Sequence, residues 1–215
     1  MKNKKKTRRI AIVLACILIP LGAFGFGYFT ANKEVSNQVA HTLTVNGDIT
    51  GSITESVTTD VTGIVPGDQV ESTINIQPTS TADSLLRVKV KPYWMNDSGG
   101  EDTGLSSTNL KLLESSSIKT DLSENSWYKE GDYYYYINKV NSGTGEINLI
   151  KGIEFLALND TDYDANKYQN KKIGIKVTME MVQCSSDAYK FKWDSLSTDL
   201  NSELDKLSPE GKKIN

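Results

Sequence analysis

Through much of this chain, apolar and polar residues alternate with a period of two, the spacing of a half-buried β-strand. The longest case is residues 172–182. Ile173, Ile175, Val177, Met179 and Met181 fall on one face, and Lys172, Lys176, Thr178 and Glu180 on the other. Residues 70–77 repeat the pattern, with Val70, Ile74 and Ile76 inward and Glu71, Thr73 and Asn75 outward. Leu86, Val88 and Val90 alternate with Arg87, Lys89 and Lys91. That predicts a strand with a basic solvent face, on which Arg87 is a surface residue, and Pro92 either ends it or marks an edge. Two Thr-rich stretches, residues 41–45 and 52–57, are shorter strand candidates. Leu110, Leu112 and Leu113 fit either a short strand or one helical turn within residues 109–118.

The chain centres on residues 127–158. Tyr133 to Tyr136 run into Ile137, and aromatic residues favour a pleated surface. Large rings on both faces predict an interior strand packed on two sides. Asn141-Ser142-Gly143-Thr144-Gly145 reads as a hairpin loop, after which apolar runs return at residues 147–149 and 153–158. Val65-Pro66-Gly67-Asp68 predicts a turn. Residues 33–40 are polar and expected to be loose, and residues 160–171 form an acidic connection. Near the end the period changes. Trp193, Leu196, Leu200, Leu204 and Leu207 recur every three or four residues, predicting an amphipathic helix capped by Asp194 or Ser195. The expectation is an all-β domain with a short C-terminal helix, divided as residues 1–30, 31–186 and 187–215.

The first of these segments has export-signal architecture: a basic start, then an apolar stretch from Ile10 to Phe26 broken by Pro20 and glycines. Its length also borders on that of a membrane span, so an uncleaved anchor stays open. Six of the 24 Lys and Arg lie in the leader, leaving 18 against 27 acidic residues, a balance of −9. So acidic a domain is a poor nucleic-acid binder, because phosphate contacts dominate that affinity. Membrane contact is expected only through the leader. Cys16 lies in the leader and Cys184 in the domain, so no disulfide staples the processed fold.

Catalytic constellations are missing from the sequence. A zinc hydrolase needs about three protein ligands and an activated water, whereas His41 is the one histidine and no H-E-x-x-H occurs. A Ser-His-Asp arrangement would have only His41 as base. No cofactor is expected. Asp160, Asp162 and Asp164 alternate oxygen-bearing side chains as a calcium loop does. A loop starting at Asp160, however, lacks glycine at its sixth position and has Lys171 at its twelfth, so a solvated acidic turn is the simpler reading. The tyrosine run fits core and cross-strand packing better than a carbohydrate platform.

Several motifs occur in a particular order. The leader exits through Gly27-Tyr28-Phe29-Thr30-Ala31, which resembles the cleavage boundary in substrates of a SipW-type signal peptidase. Ile64-Val65-Pro66-Gly67-Asp68, Leu86-Arg87-Val88-Lys89-Val90, the tyrosine run, Asn166-Lys167-Tyr168-Gln169 and Val182-Gln183 follow. From Met1 to about Trp193 this order resembles the TasA/camelysin (CalY) family of exported Gram-positive proteins, though the C-terminal helix has no counterpart in it. The resemblance implies a jelly-roll-like antiparallel β-sandwich, secretion to the cell surface or matrix, and assembly into biofilm fibres in which one subunit's N-terminal segment completes a sheet of the next. Partners would be further copies or related matrix subunits. The expected assembly segment is residues 37–46, with Leu43 and Val45 sharing one face. Residues 41–45 fit equally well as the first strand of their own domain. The alternative function is a monomeric surface-binding module held by an uncleaved leader.

Overall fold

The computed structural model describes residues 30–36, 41–44, 49–57, 64–157, 164–185 and 187–208. They form eleven strands and one α-helix, α1 (Thr198–Leu207). One sheet holds β1 (Thr30–Ser36), β11 (Lys172–Gln183), β5 (Ser84–Met95), β9 (Tyr133–Tyr136), β8 (Trp127–Glu130) and β7 (Ile118–Lys119), in that order. The other holds β2 (His41–Thr44), β3 (Ile49–Val57), β4 (Gln69–Ser80), β10 (Ile147–Phe155) and β6 (Leu110–Glu114). The described residues are all-β apart from the short C-terminal helix.

The six-stranded sheet is built on β5 and β11, which pair antiparallel along their whole length, from Lys172↔Met95 to Gln183↔Ser84. Alternation does the rest. Leu86, Val88, Val90 and Trp94 of β5 and Ile175, Val177, Met179 and Met181 of β11 form one inward face. Opposite them lie Val70, Ile74 and Ile76 of β4 and Leu149, Ile150, Ile153 and Phe155 of β10. The two sheets enclose this core, and Trp94 meets Phe155 edge to face at 5.0 Å between centroids.

The two apolar runs at 147–149 and 153–158 belong largely to one strand, β10. Its register against β4 shifts twice, between Asn148 and Gly152. This bulge lets the adjacent residues Leu149 and Ile150 both be buried. Gly152 sits within it, where a Cβ would lie 2.7 Å from the Val70 carbonyl oxygen, so no side chain fits.

β9 is an interior strand, as its rings imply. Tyr134 and Tyr136 enter the central core, and Tyr135 packs on the opposite face. The expected hairpin at 141–145 is absent, because β9 and β10 lie in different sheets and that loop crosses between layers. The tight hairpin is instead β8–β9, turning through Gly131 at φ 59°. Pro92 does not end β5, which runs on to Met95. Residues 109–118 give the end of a 3-10 turn (Ser107–Asn109), then β6 and the start of β7. Of the stretch expected to be loose, residues 33–36 belong to β1, which pairs with β11 from Thr30↔Val182 to Ser36↔Lys176.

The inward row of β11 makes a sharp prediction. Val177→Asp places a carboxylate at a site with no solvent exposure and should cost about 4 kcal/mol or more, enough to abolish folding. Lys176→Asp, one residue away on the other face, should stay within about 1 kcal/mol. Thermal unfolding of both variants checks this, and equal shifts would contradict the register.

Candidate functional site

The outer face of the β5–β11 pair is not solvated around Arg87. Glu180, Arg87 and Tyr135 are consecutive cross-strand partners, so the register sets them side by side. Arg87 is buried. Its Nε donates to Glu180 Oε2 at 2.8 Å, and a terminal nitrogen lies 2.6 Å from the same oxygen. The Tyr133 hydroxyl donates to Glu180 Oε1 at 3.2 Å. The guanidinium lies 3.9 Å from the centre of the Tyr133 ring and 5.1 Å from that of Trp193. This corrects the expectation that Arg87 is a surface residue: the last part of the chain covers it.

That cover runs from Cys184 to Ser208. A 3-10 turn (Ala188–Phe191), Trp193 and α1 bury Ala188, Tyr189, Trp193, Leu200 and Leu204 against Leu85, Tyr135, Ile137 and Val182 of the sheet. Polar contacts hold it. The Tyr189 hydroxyl lies 2.6 Å from Asn201 Oδ1 and 2.7 Å from Asp205 Oδ1. Lys190 bridges Asp205 at 2.6 Å and Asp187 at 3.0 Å, and its pKa is raised, first by the Asp205 hydrogen bond. The Ser197 backbone N–H donates to Glu130 Oε1 at 2.8 Å, tying the segment to β8. Ser197 also caps α1 by accepting from the Leu200 N–H. The cap is therefore neither Asp194 nor Ser195, and Trp193 precedes the helix.

These groups lock a helix onto a sheet. Burial pushes the Cys184 thiol up to about 12, and burial likewise pushes the Tyr134 phenol up to about 12. Neither is a nucleophile near neutral pH. Among the described residues, no group of three or more His, Cys, Asp or Glu side chains is placed to hold a metal ion. Asp160 and Asp162 lie outside the described residues. Asp164 Oδ1 accepts from the Asn166 backbone N–H at 3.0 Å and from its side-chain nitrogen at 2.9 Å, capping the 3-10 turn Ala165–Tyr168.

The other candidate residues sit on an edge. β2 carries His41 opposite Ile53 and Leu43 opposite Gly51, and it forms one rim of the five-stranded sheet. Val45 lies outside the described residues. β1 forms a rim of the other sheet, close to β2 and β3. The first two strands thus border both layers on one flank, while β6 and β7 are the remaining rims. No described helix is long and apolar enough to cross a membrane. No family model, curated protein or solved structure matches the chain.

Sequence reasoning missed the Arg87 site and its tyrosine, glutamate and tryptophan partners. Arg87 is the only arginine after the leader, and it shares a face with the large rings of neighbouring strands. Arginine is suited to such stacking.

Removing one partner of this buried pair should be costly. Arg87→Ala should destabilise by about 3 kcal/mol, since Glu180 keeps its charge without its guanidinium. Arg87→Met combined with Glu180→Leu should recover most of that loss. Urea unfolding of the three proteins tests the claim, and a near-neutral Arg87→Ala would refute it. Cys184 should react with a thiol reagent at pH 8 far more slowly than free cysteine, and normally only after denaturation.

Proposed function

We propose that this chain is an exported structural subunit of the TasA/camelysin type, which assembles into extracellular fibres by exchanging its N-terminal strands. The observation that carries this reading is the position of β1 and β2. They are consecutive, they directly follow the apolar leader, and each is an outer strand, one per sheet. Releasing both uncovers β11 and β3 along one flank and leaves every other strand pairing in place. A second copy's β1 and β2 can then make the same backbone bonds. Exchange therefore costs little enthalpy, and head-to-tail exchange propagates without closing. The exchanged unit, residues 30–44, contains Leu43 and overlaps the expected segment 37–46.

Cleavage of the leader within Gly27–Ala31 by a SipW-type signal peptidase would be the trigger, because a leader held in the membrane tethers β1. The mature subunit would be secreted into the matrix or retained at the cell surface, with further copies or related subunits as partners and no catalytic role. Strand order favours a jelly-roll reading of the domain. β1-β11-β5-β9 faces β4-β10-β6, so early and late strands interleave in each sheet, and the connections β4–β5, β5–β6, β9–β10 and β10–β11 all cross between layers.

Electron microscopy tests the proposal. Protein beginning at Thr30 should form fibres, and protein beginning at Gly47 should stay a folded monomer that binds a synthetic peptide of residues 30–46. A truncated protein that still forms fibres contradicts exchange. So does one that unfolds and is not rescued by the peptide. Monomers from the longer protein would favour the surface-binding alternative.

A further inference from the structure

On the flank opposite β1 and β2, both sheets are incomplete. β9 pairs with β5 only from Arg87 to Lys89. Beyond Lys89, β5 has β11 on one side and, on the other, only the isolated bridge Met95↔Glu101. Pro92 sits in this stretch, where a missing N–H costs no ladder bond. In the other sheet β6 is the rim. The Leu156 N–H donates to the Asn109 carbonyl, and the Ser115 N–H to the Leu149 carbonyl. Hydrogen bonding alternates along an antiparallel pair, so these two bonds turn the peptide groups of Leu110, Leu112 and Glu114 away from β10.

An open groove of about 610 Å³ lies between these two edges. Its apolar wall includes Pro92, Leu112, Leu113 and Leu156, all half-buried. Its charged lining is Lys111, Lys129, Lys151 and Glu114. Lys111 pairs with Glu154 at 3.2 Å and Lys129 with Glu114 at 2.9 Å. Lys151 is exposed and has no counter-charge among the described residues.

We propose that this groove receives an extended acidic strand of a partner protein, which adds to β6. The outward peptide groups of Leu112 and Glu114 would bond its backbone, the Leu110 N–H being already given to the Ser107 carbonyl. The leucines would take its alternate apolar side chains, and Lys151 a carboxylate. Neither β1 nor residues 209–215 have this chemistry. In β1, Lys33 and Glu34 cancel, and residues 209–215 carry Lys212 and Lys213 against Glu210. The inference stands apart from strand exchange, which concerns the opposite flank.

The test uses isotope-labelled protein and a blocked heptapeptide of alternating valine and aspartate, with a valine–lysine peptide as control. The acidic peptide should shift the amide signals of Leu112 and Glu114 saturably, and the lysine peptide should bind about tenfold more weakly. Lys151→Glu, an exposed change that leaves the fold intact, should weaken acidic-peptide binding by about tenfold. Leu112→Pro removes an outward N–H without touching the β10 ladder and should abolish binding. If that variant fails to fold, Lys151→Glu alone decides. The proposal is overturned by equal affinity for the two peptides, by shifts confined to another edge, by no saturable shift, or by unchanged binding in Lys151→Glu.

Discussion

The twelve-residue antiparallel pairing of β5 with β11 is the constraint on which the rest of this protein depends. Its inner rows supply one wall of the central core. Its outer rows set Glu180 beside Arg87, and Arg87 in turn lies beside Tyr135 of β9. A slip of one residue would turn Val177 and Met179 outward and carry Glu180 into the core. The buried ion pair is a poor source of net stability, because desolvating two charges offsets most of their attraction. Its effect is selective: only the native register gives each charge its partner.

The two ends of the described chain use this pair in opposite ways. β1 adds to the free edge of β11 through seven cross-strand positions. The C-terminal segment adds to the outer face through buried rings, a cation–π contact and the Ser197–Glu130 hydrogen bond. An edge pairing of backbone groups can be made equally by another copy. Interdigitated side chains cannot be exchanged without opening a core. On the exchange proposal, the N-terminal strands are the exchangeable end and α1 the fixed one.

Legibility in the sequence followed burial. β11 and β4 alternate because one of their faces is buried in the central core, and the strict period showed it. The tyrosine run announced a strand packed on both sides. Arg87 was misread because alternation assigns a charge to solvent, and only the distant residues Trp193 and Glu180 reveal a second buried layer. β1 was missed because the sequence of Thr30–Ser36 carries little apolar signal, and its pairing comes from the exposed edge of β11. Trp193 and Leu196 mimic helical spacing while lying before the Ser197 cap, since both help cover the sheet ahead of α1. The crossing at 141–145 looked like a hairpin because loop composition reports a turn and not the layer to which the chain returns.

The most direct test of the exchange account asks which chain supplies β1 to β11. Glu34 and Thr178 are cross-strand partners, so cysteines placed there lie within disulfide reach. With Cys184 replaced by serine, Glu34→Cys and Thr178→Cys proteins are mixed under fibre-forming conditions and oxidised. Exchange predicts disulfide-linked dimers joining the two single-cysteine variants. No cross-link in the mixture, together with an intrachain disulfide in the double variant under the same conditions, would contradict it.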